Sequence, residues 1–327
     1  MTRFELLGQP LLSRATVNRQ EPHRQVSLLD DPERQSKLWP DGKLLLVDAA
    51  GCVPVRAAGT ELIYHRAGDI AETPPPDAIL IGEQDGVGYW ALRHDREGQS
   101  DVPTWRVWAP PEPTDEEQWL DLRSVGALLG ATDAGVFTTA MAVLNWHRIS
   151  NFCAKCGSPV NRARVGWASR CTGCGREEYP RTDPAVICLV HDEDGVNGSH
   201  VLLARQPSWP RNRFSVLAGF VEAGESLEDC VVREIGEEVG LRVRDVRYLG
   251  NQPWPFPRSL MIGFTAVADR AAPLKLADGE IEEAHWVSRA RVRDAMAAGG
   301  ALDDFGLPGG ISIARGVVEA WAAADPE

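Results

Sequence analysis

The chain has no run of eighteen apolar residues, so no part of it is long enough to cross a bilayer as a helix. Its first residues, MTRFELLGQP, lack the apolar stretch and small-residue cleavage site of a secretory leader. A cytoplasmic protein with no membrane partner is the expectation. Positive charge is also short: 34 lysines and arginines stand against 47 aspartates and glutamates, a net charge of −13. Such a chain exerts no broad pull on nucleic acid, whose binding rests largely on neutralised phosphates. Arg162, Arg164, Arg170 and Arg176 are a local exception, read as solvated residues. Cysteine is scarce, seven in 327 residues, and Cys52, Cys188 and Cys230 are isolated, as buried thiols would be. The rest, 43% hydrophobic and 25% charged, is ordinary globular composition, in a chain long enough for two domains.

What the chain does have is concentrated at residues 219 to 241, GFVEAGESLEDCVVREIGEEVGL. From Ser226 to Val239 there is no proline, apolar residues recur at helical spacing, and Gly240 is a suitable stop. On that helix Glu238 lies four residues after Glu234, with Glu237 three after it, so all three carboxylates lean to one side. Such a cluster repels itself unless a cation sits among it, and oxygen-rich sites suit Mg²⁺ or Mn²⁺. A solvated acidic face is the plain alternative. Against it stand Arg233, placed to hold a glutamate, and Gly219, Gly224 and Gly240, which punctuate a loop–helix–loop of fixed shape.

The segment resembles, at every defined position, the box of the Nudix hydrolases: G, five residues, E, seven residues, REU, one residue, EE, one residue, GU, with U aliphatic. Ile235 and Leu241 fill the aliphatic places. The resemblance implies metal-assisted hydrolysis of a nucleoside diphosphate linked to another group, with two or three Mg²⁺ or Mn²⁺ ions. It implies Glu234, Glu237 and Glu238 as metal ligands and Glu238 as the general base. Glu225 and Arg233 would hold loop to helix, and the Ala218 carbonyl would reach a metal. Glu280-IEEAHW resembles a further family segment in which Glu280 is an added metal ligand and Glu283 a helper. Phe220 would stack on a base, and the Ala314 backbone would contact substrate.

Downstream comes NQPWPFPRS, Asn251 to Ser259. Pro253, Pro255 and Pro257 exclude helix and central strand, which predicts a rigid extended loop displaying Trp254 and Phe256. Such rings either plug a core or offer a face to a flat base. The string resembles the SQPWPFPxS array of the NADH pyrophosphatase branch, which includes enzymes that remove NAD caps from RNA. Asn251 replaces its serine. By that resemblance Gln252, Pro253, Trp254, Pro255, Phe256, Pro257, Arg258 and Ser259 are substrate-contacting residues.

Cys153 and Cys156 in CAKC, with Cys171 and Cys174 in CTGC fourteen residues on, supply four thiolates that can close on one structural Zn²⁺. Redox dithiols or disulfides are alternatives, disfavoured because no βαβ pattern and no oxidising compartment accompany them. The resembled branch carries such a ribbon, followed by a YPR run matched by Tyr179, Pro180 and Arg181, its tyrosine contacting substrate. It departs here in one place: Gly166 stands before Trp167, where some members carry a glutamate near the substrate.

The expected layout is an irregular arm over 1–40, an N-terminal α/β domain over 41–149, a zinc ribbon over 150–180 and a Nudix domain over 181–327. A Pro-rich acidic stretch at 109–118 interrupts the first domain. Strands are expected at Lys43–Asp48, at 61–65 and in a hairpin over 79–92 with an Asp85-Gly86 turn. A helix over 133–149 is capped by Asp133, with His147 as packing rather than a ligand. In the second half, strands at 185–190, 201–203, 260–266 and 283–287 and a helix at 310–324 give α+β structure, a mixed sheet between helices. The expected activity is cleavage of NADH or NAD⁺ to nicotinamide mononucleotide and AMP by a homodimer. Hydrolysis of NAD-capped RNA 5′ ends is one alternative, and a zinc-ribbon nucleic-acid-binding module with an inactive Nudix domain another.

Overall fold

The computed structural model describes residues 3–6, 27–95, 116–277 and 279–324. The chain divides into two compact units, one of residues 11–182 plus the short loop 254–258, the other of 1–10, 183–253 and 259–327.

The first unit opens with α1 (Pro32–Leu38), which has Pro32 in its first turn and the Asp31 carboxylate accepting from the Arg34 N–H. This helix lies within the stretch read as irregular; Asp31-Pro32 is an opening signal that the polar composition masked. Residues 7–26 of that stretch, and 109–115 of the Pro-rich one, lie outside the described residues. There follow β1 (Lys43–Val47), β2 (Cys52–Arg56), β3 (Glu61–Leu62), β4 (His65–Arg66), α2 (Ala67–Ile70), β5 (Ile79–Gln84), β6 (Val87–Arg93), β7 (Gln118–Asp121), α3 (Leu122–Val125) and α4 (Ala131–Ile149). Two sheets result, in the orders β4-β1-β6-β5 and β3-β2-β7. The strand expected at 61–65 is split because the chain passes from one sheet to the other between Leu62 and His65. Asp85 and Gly86 both have positive φ, 53° and 81°, as a tight hairpin requires.

Helix α4 begins at Ala131 with Gly130 before it, so Asp133 is not its cap. The Asp133 carboxylate instead accepts from the Tyr64 hydroxyl at 2.8 Å, a partner invisible in local sequence. His147 is 6% exposed and its Nε2–H donates to the Gly166 carbonyl at 2.7 Å. Beyond α4 the ribbon forms β8 (Val160–Ala163), β9 (Ala168–Cys171) and β10 (Glu177–Glu178). Gly166 has φ 96°, and a Cβ there would meet Ile79 Cγ1 at 2.7 Å, so this backbone disfavours any larger residue.

The second unit holds β11 (Asp183–His191), β12 (His200–Arg205), β13 (Leu217–Phe220), α5 (Leu227–Val239), β14 (Val243–Trp254), β15 (Ser259–Ala268), β16 (Glu283–Ser288), α6 (Arg289–Ala297) and α7 (Ile313–Ala323). Its sheet runs β14-β15-β11-β12-β16, with β13 also on β11. β11 pairs parallel with β15 and antiparallel with β12 and β13. Both faces are covered. Ile187, Leu189, Val201 and Leu203 join a core with Val292, Val317 and Trp321 of α6 and α7. The alternate residues Val186, Cys188, Val190 and Leu202 pack with Val231, Ile235 and Val239 of α5. Period-two strands apolar on both sides thus leave α5 fixed by its buried stripe. This is the mixed sheet between helices that the sequence led us to expect. α6 was not anticipated: it buries Val292 and Ala295 with Arg289, too few apolar residues for a clear stripe, although Ser288 caps it. Strand β14 runs into the Pro-rich motif as far as Trp254; it is an edge strand, where Pro253 is tolerated.

Burial draws the His147 imidazole down to about 4, so the unfolded chain takes up a proton there at higher pH than the folded one. Stability from this group is therefore present above about pH 6.5 and is lost as pH falls toward 4, by about 3 kcal/mol at most. Urea unfolding of His147→Gln against wild type should show a shallower loss between pH 7 and 4. Identical pH profiles would contradict the assignment.

Candidate metal-binding and catalytic site

Ser226 starts α5: its hydroxyl accepts from the Asp229 N–H at 3.1 Å and donates to the Asp229 carboxylate at 2.7 Å. Gly240, at φ 71°, ends it by donating its N–H to the Gly236 carbonyl. Between these ends one guanidinium gathers the acidic residues. Arg233 donates from Nε and Nη2 to the two Glu225 oxygens at 2.7 and 2.9 Å, and from Nη2 to the Phe220 carbonyl at 3.0 Å. Its Nη1 is 3.0 Å from Glu234 and 3.1 Å from Glu237. Loop and helix are thereby tied at one point, and Arg233 holds the Glu225 carboxyl down at about 2.

Glu238 is treated differently. It is 7% exposed, and its Oε2 is buried with no hydrogen-bond partner. Burial first, then the charges of Glu234, Glu280 and Glu237, push its carboxyl up to about 8. Glu280, on the exposed turn before β16, is thus close enough to act on Glu238. Ala218 and Gly219 lie on β13, where a Cβ at Gly219 would fall 1.8 to 2.3 Å from the Glu234 carboxylate atoms. The strand backbone and Glu234 are therefore in direct apposition. An unpartnered buried carboxylate oxygen, like charges around it and a strand pressed against the neighbouring carboxylate fit a hard divalent cation such as Mg²⁺ or Mn²⁺.

Among the described residues only Cys153, Cys156, Cys171 and Cys174 bring their ligand atoms all within 4.8 Å of one another. The carboxylates of α5 are neighbours but do not converge that tightly. In the ribbon, Gly157 and Gly175 each donate an N–H back to the first cysteine of their knuckle, at φ 73° and 71°. The Gly173 and Cys174 N–H groups point at Cys171 Sγ, at 3.3 and 3.4 Å. The Ser158 N–H lowers the Cys156 thiol to about 6. Four converging sulfurs fed by N–H donors fit Zn²⁺ with no open position.

The remaining expected residues divide. Phe220 and Tyr179 are exposed aromatics, 59% and 55%, and Tyr179 donates to Glu177. Gln252 is fully buried: its amide donates to the Ile311 carbonyl and accepts from the Ile313 N–H, so it pins the start of α7. Ala314 is buried beside it, its N–H given to Ser312 Oγ at 3.2 Å. Ser259 and Pro255 are buried, Pro253, Trp254, Phe256 and Arg258 partly so, and Pro257 is exposed. Trp254 meets Phe256 edge-on at 4.9 Å. The sequence reading missed Arg205, whose side chain is 3% exposed and ion-paired to Glu282 at 2.8 Å and Glu283 at 3.2 Å. An arginine closing the apolar run VLLA was its only signal.

Family models match along the chain: the NUDIX domain over residues 181–305, the NADH pyrophosphatase zinc ribbon domain over 148–179, and the NADH pyrophosphatase-like rudimentary NUDIX domain over 22–146. Proteins named NAD-capped RNA hydrolase NudC from Mycobacterium bovis and Mycobacterium tuberculosis are each 44% identical, over 98% of this chain and 97% of their own length. NAD-capped RNA hydrolase NUDT12 of Macaca fascicularis is 39% identical over 59% of this chain and 43% of its own. A crystal structure of a NUDIX hydrolase from Nitrosomonas europaea matches 48% of this chain and 98% of its own at 19% identity, with a TM-score of 0.37.

Gly219→Ala should displace the Glu234 carboxylate and reduce turnover by on the order of 100-fold while leaving the unfolding midpoint nearly unchanged. Full activity in that variant would show that the close approach is incidental. In the ribbon, Cys171→Ser should abolish the bound zinc measured by atomic absorption and lower the unfolding temperature.

Proposed function

The chain belongs to the Nudix hydrolases, in the family of NADH pyrophosphatases and NAD-capped RNA hydrolases, and on that footing we propose that it hydrolyses the central pyrophosphate of NAD(H). The products are nicotinamide mononucleotide and AMP. The observation that supports this most directly is Glu238, buried among like charges on α5 with a carboxylate oxygen that no protein group satisfies.

Glu234, Glu237, Glu238, Glu280 and the Ala218 carbonyl are the groups proposed to hold Mg²⁺ or Mn²⁺. When bound, such ions neutralise charge developing on the pyrophosphate and lower the pKa of water. Glu238 is proposed to take the proton of the attacking water. The water oxygen forms a new bond to one phosphorus as the bond from that phosphorus to the bridging oxygen breaks. Arg233 is proposed to hold Glu234 and Glu237 in place through the contacts already described, rather than touching substrate. Exposed Phe220 offers its ring to a base.

A second substrate, the NAD-capped 5′ end of RNA, is favoured by the names of the relatives that match the full chain. The chemistry would be the same, with RNA in place of a free 3′-hydroxyl on AMP. We further propose that the enzyme acts in the cytoplasm as a homodimer, which sedimentation of the purified protein would check. Among the described residues no helix is long and apolar enough to cross a membrane.

Purified protein should release nicotinamide mononucleotide and AMP from NADH and NAD⁺, and nicotinamide mononucleotide from NAD-capped RNA, only with a divalent cation. Glu238→Gln should lower kcat by roughly 10² to 10⁴-fold. Turnover equal to wild type would remove Glu238 as the base, and equal use of ADP-ribose and NADH would overturn the substrate assignment.

A further inference from the structure

Arg205, the last residue of β12, has a side chain only 3% exposed, too deep to touch a substrate. Its charge is spent instead on the stretch of chain that follows Glu280. On the reading of Glu280 as a group that holds Mg²⁺ or Mn²⁺, we propose that Arg205 is a positioning residue of that site. It clamps Glu282 and Glu283 so that the Glu280 carboxylate stands beside Glu238 and can share a divalent ion with it.

The segment carrying Glu280 is held at two places. Upstream, the Lys275 N–H donates to the Val239 carbonyl and the Ala277 N–H to the Glu238 carbonyl, both at 2.9 Å. The approach to Glu280 is thus fastened to the last turn of α5, and to the backbone of Glu238 itself. Downstream, the Glu282 N–H donates to the Arg205 carbonyl at 2.9 Å. Arg205 Nη2 then reaches the Glu282 carboxylate at 2.8 Å and that of Glu283 at 3.2 Å. Between these anchors Ile281 is buried in the core under α5, while Glu280 is exposed and takes its direction from its flanks.

Arg205 and Glu283 are direct partners across the antiparallel pair β12–β16. Successive side chains of an extended chain point to opposite faces, so one nitrogen that draws in both Glu282 and Glu283 pins the peptide between them. Charge acts in the same sense. Without Arg205, two more carboxylates would oppose the approach of this segment to Glu234, Glu237 and Glu238. A buried ion pair adds little net stability over apolar packing; what it can add is fixed geometry. Arg205 Nε, buried and without a hydrogen-bond partner among the described residues, is a cost that stability alone does not explain.

The test reads Mn²⁺ affinity of the zinc-loaded full chain without substrate, from the electron paramagnetic resonance of free Mn²⁺. Arg205→Gln should raise the Mn²⁺ dissociation constant roughly tenfold, as loss of a group that orients a ligand does. The sign is diagnostic, because removing a positive charge would by its field alone tighten a cation. Arg205→Lys, which keeps the charge and loses the fork, should recover part of the affinity. Glu282→Gln, at a half-exposed side chain, should fold as wild type and weaken Mn²⁺ in the same way, so it decides the matter if the Arg205 variants unfold. In a Glu280→Gln background none of these changes should weaken Mn²⁺ further, because they act through Glu280. Mn²⁺ binding by Glu280→Gln equal to wild type would remove the ligand reading and the proposal with it. If Glu280→Gln binds Mn²⁺ weakly, unchanged or tighter binding in Arg205→Gln and Glu282→Gln, or losses that add to that of Glu280→Gln, would overturn the positioning role alone.

Discussion

Four carboxylates on one short loop and helix would repel one another apart, and a single guanidinium prevents it. Arg233 touches Glu225, Glu234 and Glu237 and also a loop carbonyl, so the acidic residues are ordered before any cation arrives. Its reach stops at Glu238. That residue sits against the core with one oxygen unpartnered, in the environment that most disfavours a bare carboxylate. The contrast is functional in form: three carboxylates are paired with a cation of the protein's own, and a fourth has no such partner.

Rigid support for this arrangement comes from a sheet apolar on both faces. One side of β11 and β12 meets α6 and α7, the other meets α5, so the acidic helix cannot shift without opening a core. Gly219 on β13 lets the backbone lie against Glu234, where any larger residue would fill the space. Gln252 makes the corresponding connection at the other end of the unit, joining β14 to the start of α7 with both halves of its amide. The ribbon has too few residues to build such a core, and four thiolates around zinc take its place.

Much of this was legible locally. The box glycines and glutamates, the paired CxxC knuckles and the Asp85-Gly86 hairpin each carry their geometry in adjacent residues, because turn and helix chemistry acts over a few positions. Other features were not legible. Asp133 looked like a helix cap and instead serves Tyr64, nearly seventy residues away. α6 has too narrow an apolar stripe to announce itself, and the strand at 61–65 broke because it serves two sheets. Gln252 belongs to a motif whose resemblance suggests substrate contact, yet its amide is occupied inside the protein.

The order of residues alone determined which groups can carry charge, metal and sulfur chemistry, and it determined the helix that aligns Glu234, Glu237 and Glu238. Those properties follow from side-chain identity and a 3.6-residue period, which need no knowledge of distant partners. Tertiary packing decided the rest: that Glu238 is buried while Glu237 is exposed, that Arg205 meets Glu282 and Glu283, and that Arg123 covers Phe256. Each is a matter of which remote surface lies opposite a residue, and burial and Coulomb energy depend on that surface rather than on sequence neighbours.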